Sequence, residues 1–253
     1  MSLSSQSYIR KVSLHRENVP SFHSYPFHIP SIRSLTDLSF HPKVTFIVGE
    51  NGMGKSTLLE AIAMAIGFNP EGGTLNFSFS TYDSYSNLDK YLRIVRGVDR
   101  PKDGFFLRAE SFYNVATNIE EMDQQPSFGP RVIDSYGGKS LHEQSHGEAF
   151  FSTFMNRFRG KGIYILDEPE AALSPLRQLS MLSRIHELVN DNSQFIIATH
   201  SPILMAYPSS SLIELTEEGL EESSLEETSH YKIMKQFFDD RERMIHHLLK
   251  EDN

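Results

Sequence analysis

The segment from Gly49 to Thr57 has the composition of a loop that binds phosphate. It reads Gly-Glu-Asn-Gly-Met-Gly-Lys-Ser-Thr and matches the pattern of a glycine, four residues and then Gly-Lys-Ser/Thr. Glycines let successive backbone N–H groups turn inward around phosphate oxygens, where side chains would block the approach. Lys55 then reaches the β- and γ-phosphates, and the Ser56 hydroxyl joins a Mg²⁺ shell. We therefore predict a nucleoside triphosphate site formed by Gly49, Glu50, Asn51, Gly52, Met53, Gly54, Lys55, Ser56 and Thr57.

A second chemical signal lies about a hundred residues further on, where two adjacent carboxylates follow an apolar run. Residues 163–170 read Ile-Tyr-Ile-Leu-Asp-Glu-Pro-Glu, which is typical of a buried strand that ends in Asp167 and Glu168. Enzymes with a phosphate loop hold Mg²⁺ and orient the attacking water with carboxylates placed in this way. We expect Asp167 to contribute to the Mg²⁺ site and Glu168 to polarise the water.

His200 ends another apolar run, Phe-Ile-Ile-Ala-Thr-His from residue 195. An imidazole at the carboxyl end of a core strand can hydrogen-bond a γ-phosphate and hold the water in line. We therefore predict that Lys55, Glu168 and His200 are the catalytic residues.

The segment from His142 to Glu148 fits two incompatible interpretations. It contains His-Glu-x-x-His, a zinc-peptidase motif that requires one continuous helix through both histidines. Glycines flank the motif, however, at Gly137-Gly138 and Gly147. In the competing interpretation Ser145 caps a helix and Glu148 reaches back to it, and the exposed N–H groups of that helix start form a second anion site.

The elements that position these residues alternate along the chain. Val44–Val48 is typical of a buried strand, and helical spacing of apolar residues follows the phosphate loop. We predict further core strands at 163–166, 195–199 and 212–215, and a helix that opens at Ser174-Pro175. Tyr8–Leu14 is expected to be an edge strand, and 91–95 and 105–109 are candidate strands joined by a turn. This order predicts an α/β fold with a mostly parallel sheet and right-handed crossovers.

The bulk composition limits the class of protein. The chain has 253 residues, a formal net charge of −9 and no cysteine, so disulfides and thiolate metal sites are excluded. No apolar run approaches the ~20 residues that span a bilayer, and the first residues lack the pattern of a secretion signal. We expect a cytoplasmic protein without direct membrane contact.

The chain resembles the ABC-type ATPase heads in the order of its motifs. These are the loop at 49–57, Ser145-His-Gly-Glu148, Leu166-Asp-Glu-Pro169 and His200. The resemblance is strongest to soluble SMC-, RecF- and overcoming-lysogenisation-type ATPases and to small stand-alone ATPases. It implies that Ser145 and Gly147 contact the γ-phosphate of ATP bound to a second subunit, although His146 and Glu148 depart from the usual Ser-Gly-Gly-Gln signature. It also implies that 170–174 is a dimer-contact loop. The family's glutamine loop has no clear match, and Arg108 or Glu110 is the candidate substitute.

The resemblance implies a P-loop NTPase fold with an antiparallel β lobe and a helical signature lobe. We expect one ATPase domain over 1–253. Its first half should comprise a β lobe and first core strand at 1–48 and the phosphate loop with its helix at 49–68. A helical lobe at 111–160, a core with both acidic residues and His200 at 161–215, and an acidic segment at 216–253 should follow. ATP and Mg²⁺ are the implied ligands. A homodimer formed with ATP would act as a switch on a partner protein or DNA. A transporter subunit, a zinc peptidase and a non-hydrolysing binding module are the alternatives.

Overall fold

The computed structural model describes residues 7–75, 86–126 and 129–249. The described strands are β1 (Ile9–Leu14), β2 (Asp37–Ser39), β3 (Val44–Gly49), β4 (Leu92–Arg96), β5 (Asp103–Arg108), β6 (Gly162–Asp167), β7 (Gln194–Ala198), β8 (Ser211–Leu215) and β9 (Leu220–Ser223). The described helices are α1 (Pro30–Ser34), α2 (Lys55–Ile66), α3 (Phe112–Gln124), α4 (His146–Arg157), α5 (Pro175–Asn190), α6 (Pro202–Met205), α7 (Ser229–Asp239) and α8 (Arg241–Leu248).

Six of the described strands form the central sheet in the order β5-β6-β7-β3-β8-β9. All neighbouring pairs are parallel except β8 and β9. Parallel strands need crossover connections, and helices supply them here between β3, β6, β7 and β8. The carboxyl ends of β3, β6 and β7 therefore lie at one edge of the sheet, and the residues with predicted chemistry follow these three ends. The predicted fold class is confirmed.

Both faces of the central sheet are buried, and the alternation of side chains along each strand divides the core in two. In β3, Phe46 packs with α3, α4 and α5, whereas its neighbour Ile47 packs with α2 and the smaller sheet. Tyr164 and Ile165 divide in the same way in β6. Successive side chains of a strand point to opposite faces, so a continuous apolar run is the pattern expected when helices cover both sides.

A second sheet contains three antiparallel strands in the order β2-β1-β4. The prediction that Tyr8–Leu14 is an edge strand is wrong, because β1 pairs on both sides. Its second neighbour, β4, comes from a distant part of the chain. The two strands predicted around the turn at 99–104 are also not partners, since β4 joins this small sheet and β5 forms the edge of the central one.

The helix starts follow local sequence signals. The Ser174 hydroxyl accepts a hydrogen bond from the backbone N–H of Arg177, and Pro175 lies in the first turn of α5, as predicted. The acidic segment from 216 onward contains β9, α7 and α8, which the sequence analysis did not predict. Within the described parts of the chain, no helix is long and apolar enough to cross a membrane.

Candidate active site

The phosphate loop connects β3 to α2 and is held by close backbone contacts. Gly54 has a φ of 89°, and a Cβ there would lie 2.9 Å from Ile29 Cγ2. Behind the loop, the Ser31 hydroxyl donates a hydrogen bond of 2.5 Å to the Met53 carbonyl. No side chain caps the N-terminus of α2. The first N–H groups of this helix are therefore available to an anion.

Lys55 is buried at the start of α2, and its ammonium group donates to the carbonyls of Gly49 at 2.8 Å and Glu50 at 3.0 Å. Burial lowers the pKa of Lys55, while the nearby carboxylates, Glu168 foremost, act in the opposite direction. The charge of Lys55 thus lies at the loop, close enough to Asp167 and Glu168 to interact with their carboxylates.

Ser56 and Asp167 meet across the site. The Ser56 hydroxyl donates a hydrogen bond of 3.0 Å to Asp167 Oδ1. Asp167 is 5% exposed, and burial raises the pKa of its carboxyl group, opposed by Arg108 and by the bond from Ser56. A hydroxyl and a carboxylate are the hard oxygen ligands that Mg²⁺ prefers, so this pair fits the predicted metal site.

Arg108, at the end of β5, is the cation that compensates this buried acid. Its Nε lies 3.3 Å from Asp167 Oδ2, and its Nη1 donates to Glu60 Oε2 at 2.8 Å. Burial raises the pKa of Glu60, and Arg108 opposes that change. Glu110, the other candidate for the glutamine-loop position, is 3.7 Å from Arg108 Nη2, and its side chain is 88% exposed. Arg108, not Glu110, is thus the one in contact with Asp167.

Glu168 and His200 stand side by side at the ends of β6 and β7. Glu168 has a φ of 49°, a left-handed conformation that costs a non-glycine residue about 1–2 kcal/mol. Its Oε1 lies 3.5 Å from His200 Nε2. The backbone N–H of His200 donates to Glu170 Oε1 at 2.5 Å. Strain at such a position is characteristic of functional sites.

Burial disfavours the charged forms of both His200 and Glu170. Burial lowers the pKa of His200 and so do Lys55 and His230, whereas Glu168 acts in the opposite direction. Burial also raises the pKa of Glu170, although its hydrogen bonds from His200 and Thr199 oppose this.

One member of the site was not predicted. His230, in the first turn of α7, places its Nε2 2.7 Å from His200 Nδ1. The rings lie 4.8 Å apart between centroids. No motif around residue 230 indicates this contact, because it joins two segments that only the fold brings together.

A cavity of about 360 Å³ opens at this edge of the sheet. It is lined by Ser56, Ala109, Glu110, His146, Asp167, Glu168 and Ala171. A larger cavity, of about 750 Å³, lies apart from these groups, along α7 and α8. The smaller cavity is the one lined by Ser56, Asp167 and Glu168, for which the sequence predicts chemistry.

The predicted capping box is confirmed at the start of α4. Glu148 N donates to the Ser145 hydroxyl at 3.4 Å, and Ser145 N donates to Glu148 Oε2 at 3.1 Å. Gly147 packs so closely that a Cβ would lie 2.3 Å from the carbonyl oxygen of Ala172. Neither Ser145 nor Gly147 lines the cavity at Asp167, although His146 between them does.

The zinc interpretation of the same segment is wrong. Helix α4 begins at His146, so His142 lies in the turn before it and the two histidines do not share a helix face. His142 instead pairs with Thr117 at 3.2 Å, and His146 packs edge-on against Phe112. In the described ranges no group of three His, Asp or Glu side chains has the arrangement of a metal site.

Comparisons with known proteins agree with these motifs. A model of the AAA domain family matches residues 13–159, and a model of the AAA ATPase domain matches residues 140–205. A putative ABC transporter ATP-binding protein of Caldanaerobacter subterraneus is 28% identical over 210 residues, 76% of this chain and 85% of that protein. An energy-coupling factor transporter ATP-binding protein of Methanospirillum hungatei is 26% identical over 78% of this chain, which spans about half (52%) of that protein.

Among solved structures, cbiO1 from Clostridium perfringens, part of an ABC transporter complex, has a TM-score of 0.48 and 18% identity over 96% of this chain and 99% of that one. The SMC head domain from Thermotoga maritima has a TM-score of 0.42 and 13% identity over 85% and 98% of the two chains. The AAA domain model alone covers more than half of the sequence. The chain is therefore a member of the AAA domain family and is an ATPase.

Proposed function

We propose that Lys55, Ser56, Asp167, Glu168 and His200 form one half of an ATP-hydrolysing site, and that a second copy of the chain completes it. The observation that carries this proposal is the convergence of two contacts at one cavity. Ser56 Oγ lies 3.0 Å from Asp167 Oδ1, and His200 Nε2 lies 3.5 Å from Glu168 Oε1. The loop that would hold the phosphates joins the same strand edge.

Each side chain has a distinct task in in-line hydrolysis. Lys55 exchanges its bonds to the loop carbonyls for bonds to the β- and γ-phosphates. Glu168 orients the attacking water and accepts its proton, and His200 Nε2 donates to the γ-phosphate. Ser56 and Asp167 would hold Mg²⁺, which neutralises charge on the phosphate oxygens. Arg108 opposes the rise that burial causes in the pKa of Asp167 and holds its side chain in place until the metal binds.

The second copy is inferred from Ser145 and Gly147, which do not line the cavity at Asp167. Ser145 is exposed at the N-terminus of α4, a helix long enough to present N–H groups to an anion. Gly147 rests on the segment that follows Glu168, which links the start of α4 to the acidic pair. In a head-to-tail dimer, Ser145 and Gly147 of one copy would contact the γ-phosphate held by the other.

Such a dimer is a switch, because ATP that bridges two copies stabilises only the closed state. Hydrolysis would then reopen it. The single ATPase domain over 1–253 would transmit this change to a protein partner or to DNA.

A nucleotide-binding subunit of a transporter is the second candidate, favoured by the names of the two relatives. The two candidates differ in their partner. Affinity purification from membrane and soluble fractions separates them, since only the transporter subunit would copurify with a membrane protein.

The direct test of the proposal is Glu168→Gln. We expect loss of turnover by at least ~100-fold, since a general base is removed, with ATP binding retained. Gel filtration should then show a dimer with Mg²⁺ and ATP and a monomer without nucleotide. Glu187→Gln, which changes an exposed carboxylate on α5, is the matched control and should hydrolyse normally. Normal hydrolysis by Glu168→Gln would contradict the assignment.

A further inference from the structure

The position of His230 is fixed by the start of α7. The buried Thr228 caps this helix, accepting from the Tyr231 N–H at 3.3 Å and donating to the Leu225 carbonyl at 2.7 Å. His230 follows in the first turn, with its Nε2 2.7 Å from His200 Nδ1. This distance is that of a hydrogen bond. A bond between two imidazole nitrogens needs one donor and one acceptor, so the contact constrains where the protons lie.

The groups on the other side of His200 decide which nitrogen carries its proton. His200 Nε2 faces Glu168 Oε1 at 3.5 Å, and it has no hydrogen-bond partner within the described chain. An ionised carboxylate only accepts, and so do the phosphate oxygens that His200 would contact. Nε2 must therefore carry a proton if it is to serve either group.

The remaining neighbours favour a single proton on this ring. Lys55, His230 and Glu168 face the His200 ring, and Glu170 accepts a hydrogen bond from the His200 backbone N–H. Burial, then Lys55 and His230, lower the pKa of His200, and Glu168 opposes them, so the net shift favours the neutral ring. With its one proton on Nε2, Nδ1 of His200 is an acceptor. The donor in the pair is then His230 Nε2–H.

We propose that His230 is a positioning residue that donates to His200 Nδ1 and thereby fixes the His200 tautomer with a donor at Nε2. The proposal rests on the function proposed above for His200. His230 Nδ1 is buried without a hydrogen-bond partner among the described residues. With the proton of His230 on Nε2, this atom carries a lone pair and has no proton to donate. The two ring nitrogens of a histidine are distinct, and the partner of one sets the state of the other.

The test compares His230→Leu with His230→Gln. Leucine has no donor, so we expect kcat for ATP hydrolysis to fall roughly 10- to 100-fold, as it does on loss of partners that orient a ligating histidine. KM for ATP should change less than kcat, because the contact of His230 that carries the effect is with His200. Glutamine can donate through its amide and should recover most of the loss. Lys232→Ala, on the exposed side of α7, is the control and should leave both constants unchanged.

A double-variant cycle separates this proposal from the function on which it rests. In a His200→Ala background, His230→Leu should cause no further loss of kcat, because its effect passes through His200. If His200→Ala alone leaves kcat unchanged, then the role proposed for His200 fails. If His200→Ala is slow but His230→Leu is normal, or if leucine and glutamine at 230 are equally slow, the role of His230 fails.

The proton position is measured directly by ¹⁵N NMR of the histidine rings. We expect Nε2 of His200 to be protonated and Nδ1 unprotonated in the natural protein and in His230→Gln. In His230→Leu the signals should shift toward a mixture of tautomers. A proton on His200 Nδ1 of the natural protein would overturn the proposal whatever the kinetics show.

Discussion

The Ser56 hydroxyl donates to Asp167 Oδ1 across 111 positions of sequence, which joins the first turn of α2 to the carboxyl end of β6. The two residues meet because parallel strands bring β3 and β6 to one edge of the sheet, with β7 between them. Neither residue alone would hold a metal ion. Glu168 and His200 are in contact at the same edge of the sheet, so the predicted site residues come together there.

Ser56→Ala removes the hydroxyl from this pair while leaving the helix intact. We expect the Mg²⁺ concentration needed for half-maximal ATP hydrolysis to rise roughly 10-fold, because one ligand and the orientation of Asp167 are lost. A Mg²⁺ titration of ATPase activity measures this shift. Ser183→Ala, an exposed serine of α5, is the control and should titrate normally. An unchanged titration of Ser56→Ala would remove Ser56 from the metal site.

Arg108→Met tests the cation that joins Glu60 to Asp167. The side chains of all three are nearly buried, with exposed fractions of 11%, 11% and 6%. Removing the arginine leaves two acids without compensation, which costs about 3–5 kcal/mol in the free energy of unfolding. Urea denaturation measures this loss.

The control for Arg108 is Arg131→Met, because Arg131 pairs with Asp134 in an exposed ion pair. Exposed pairs contribute about 0–1 kcal/mol, so this variant should unfold almost as the natural protein does. Equal losses in the two variants would show that Arg108 is not the partner of a buried charge.

Glu170→Gln tests the buried carboxyl group behind His200. Burial raises the pKa of Glu170 in the folded chain above its ordinary 4.5, so the folded state holds its proton to higher pH than the unfolded state does. The stability from this group is thus present below pH 4.5 and is lost as the pH rises through the folded pKa. Glutamine does not ionise, and its oxygen still accepts from the His200 N–H.

We therefore expect the stability of Glu170→Gln, relative to the natural protein, to increase from pH 4.5 upward and then level off. Chemical denaturation at a series of pH values measures the difference. Glu187→Gln changes an exposed carboxylate and should show no such trend. A difference independent of pH would mean that Glu170 ionises as freely in the folded chain as in the unfolded one.

The sequence predicted those parts of the candidate site that are determined by local patterns. The loop, Asp167-Glu168 and His200 each follow an apolar strand, and the capping box at Ser145 is contained within four residues. These signals do not depend on knowing which strands are neighbours. For this reason their positions agree with the structure even though the strand order was not predicted.

The contacts that were missed depend on long-range pairing. Arg108 reaches Asp167 because β5 and β6 pair with these two residues in register. From the sequence, Arg108 and Glu110 were equal candidates for the glutamine-loop position, because the neighbouring residues do not indicate which side chain faces Asp167. His230 meets His200 only because α7 returns to the sheet edge. Long-range pairing with β4 also explains why β1 lies in the middle of its sheet and not at its edge.

The central claim is that each site combines residues of two copies, and a complementation experiment tests it most directly. Glu168→Gln and Ser145→Ala, each inactive alone, are mixed before Mg²⁺ and ATP are added. In a head-to-tail dimer, a mixed pair has one site with both changes and one with neither. We predict that the equal mixture recovers about a quarter of the natural ATPase activity, since half the dimers are mixed and each has one intact site. A mixture as inactive as its two components would contradict a site shared between copies.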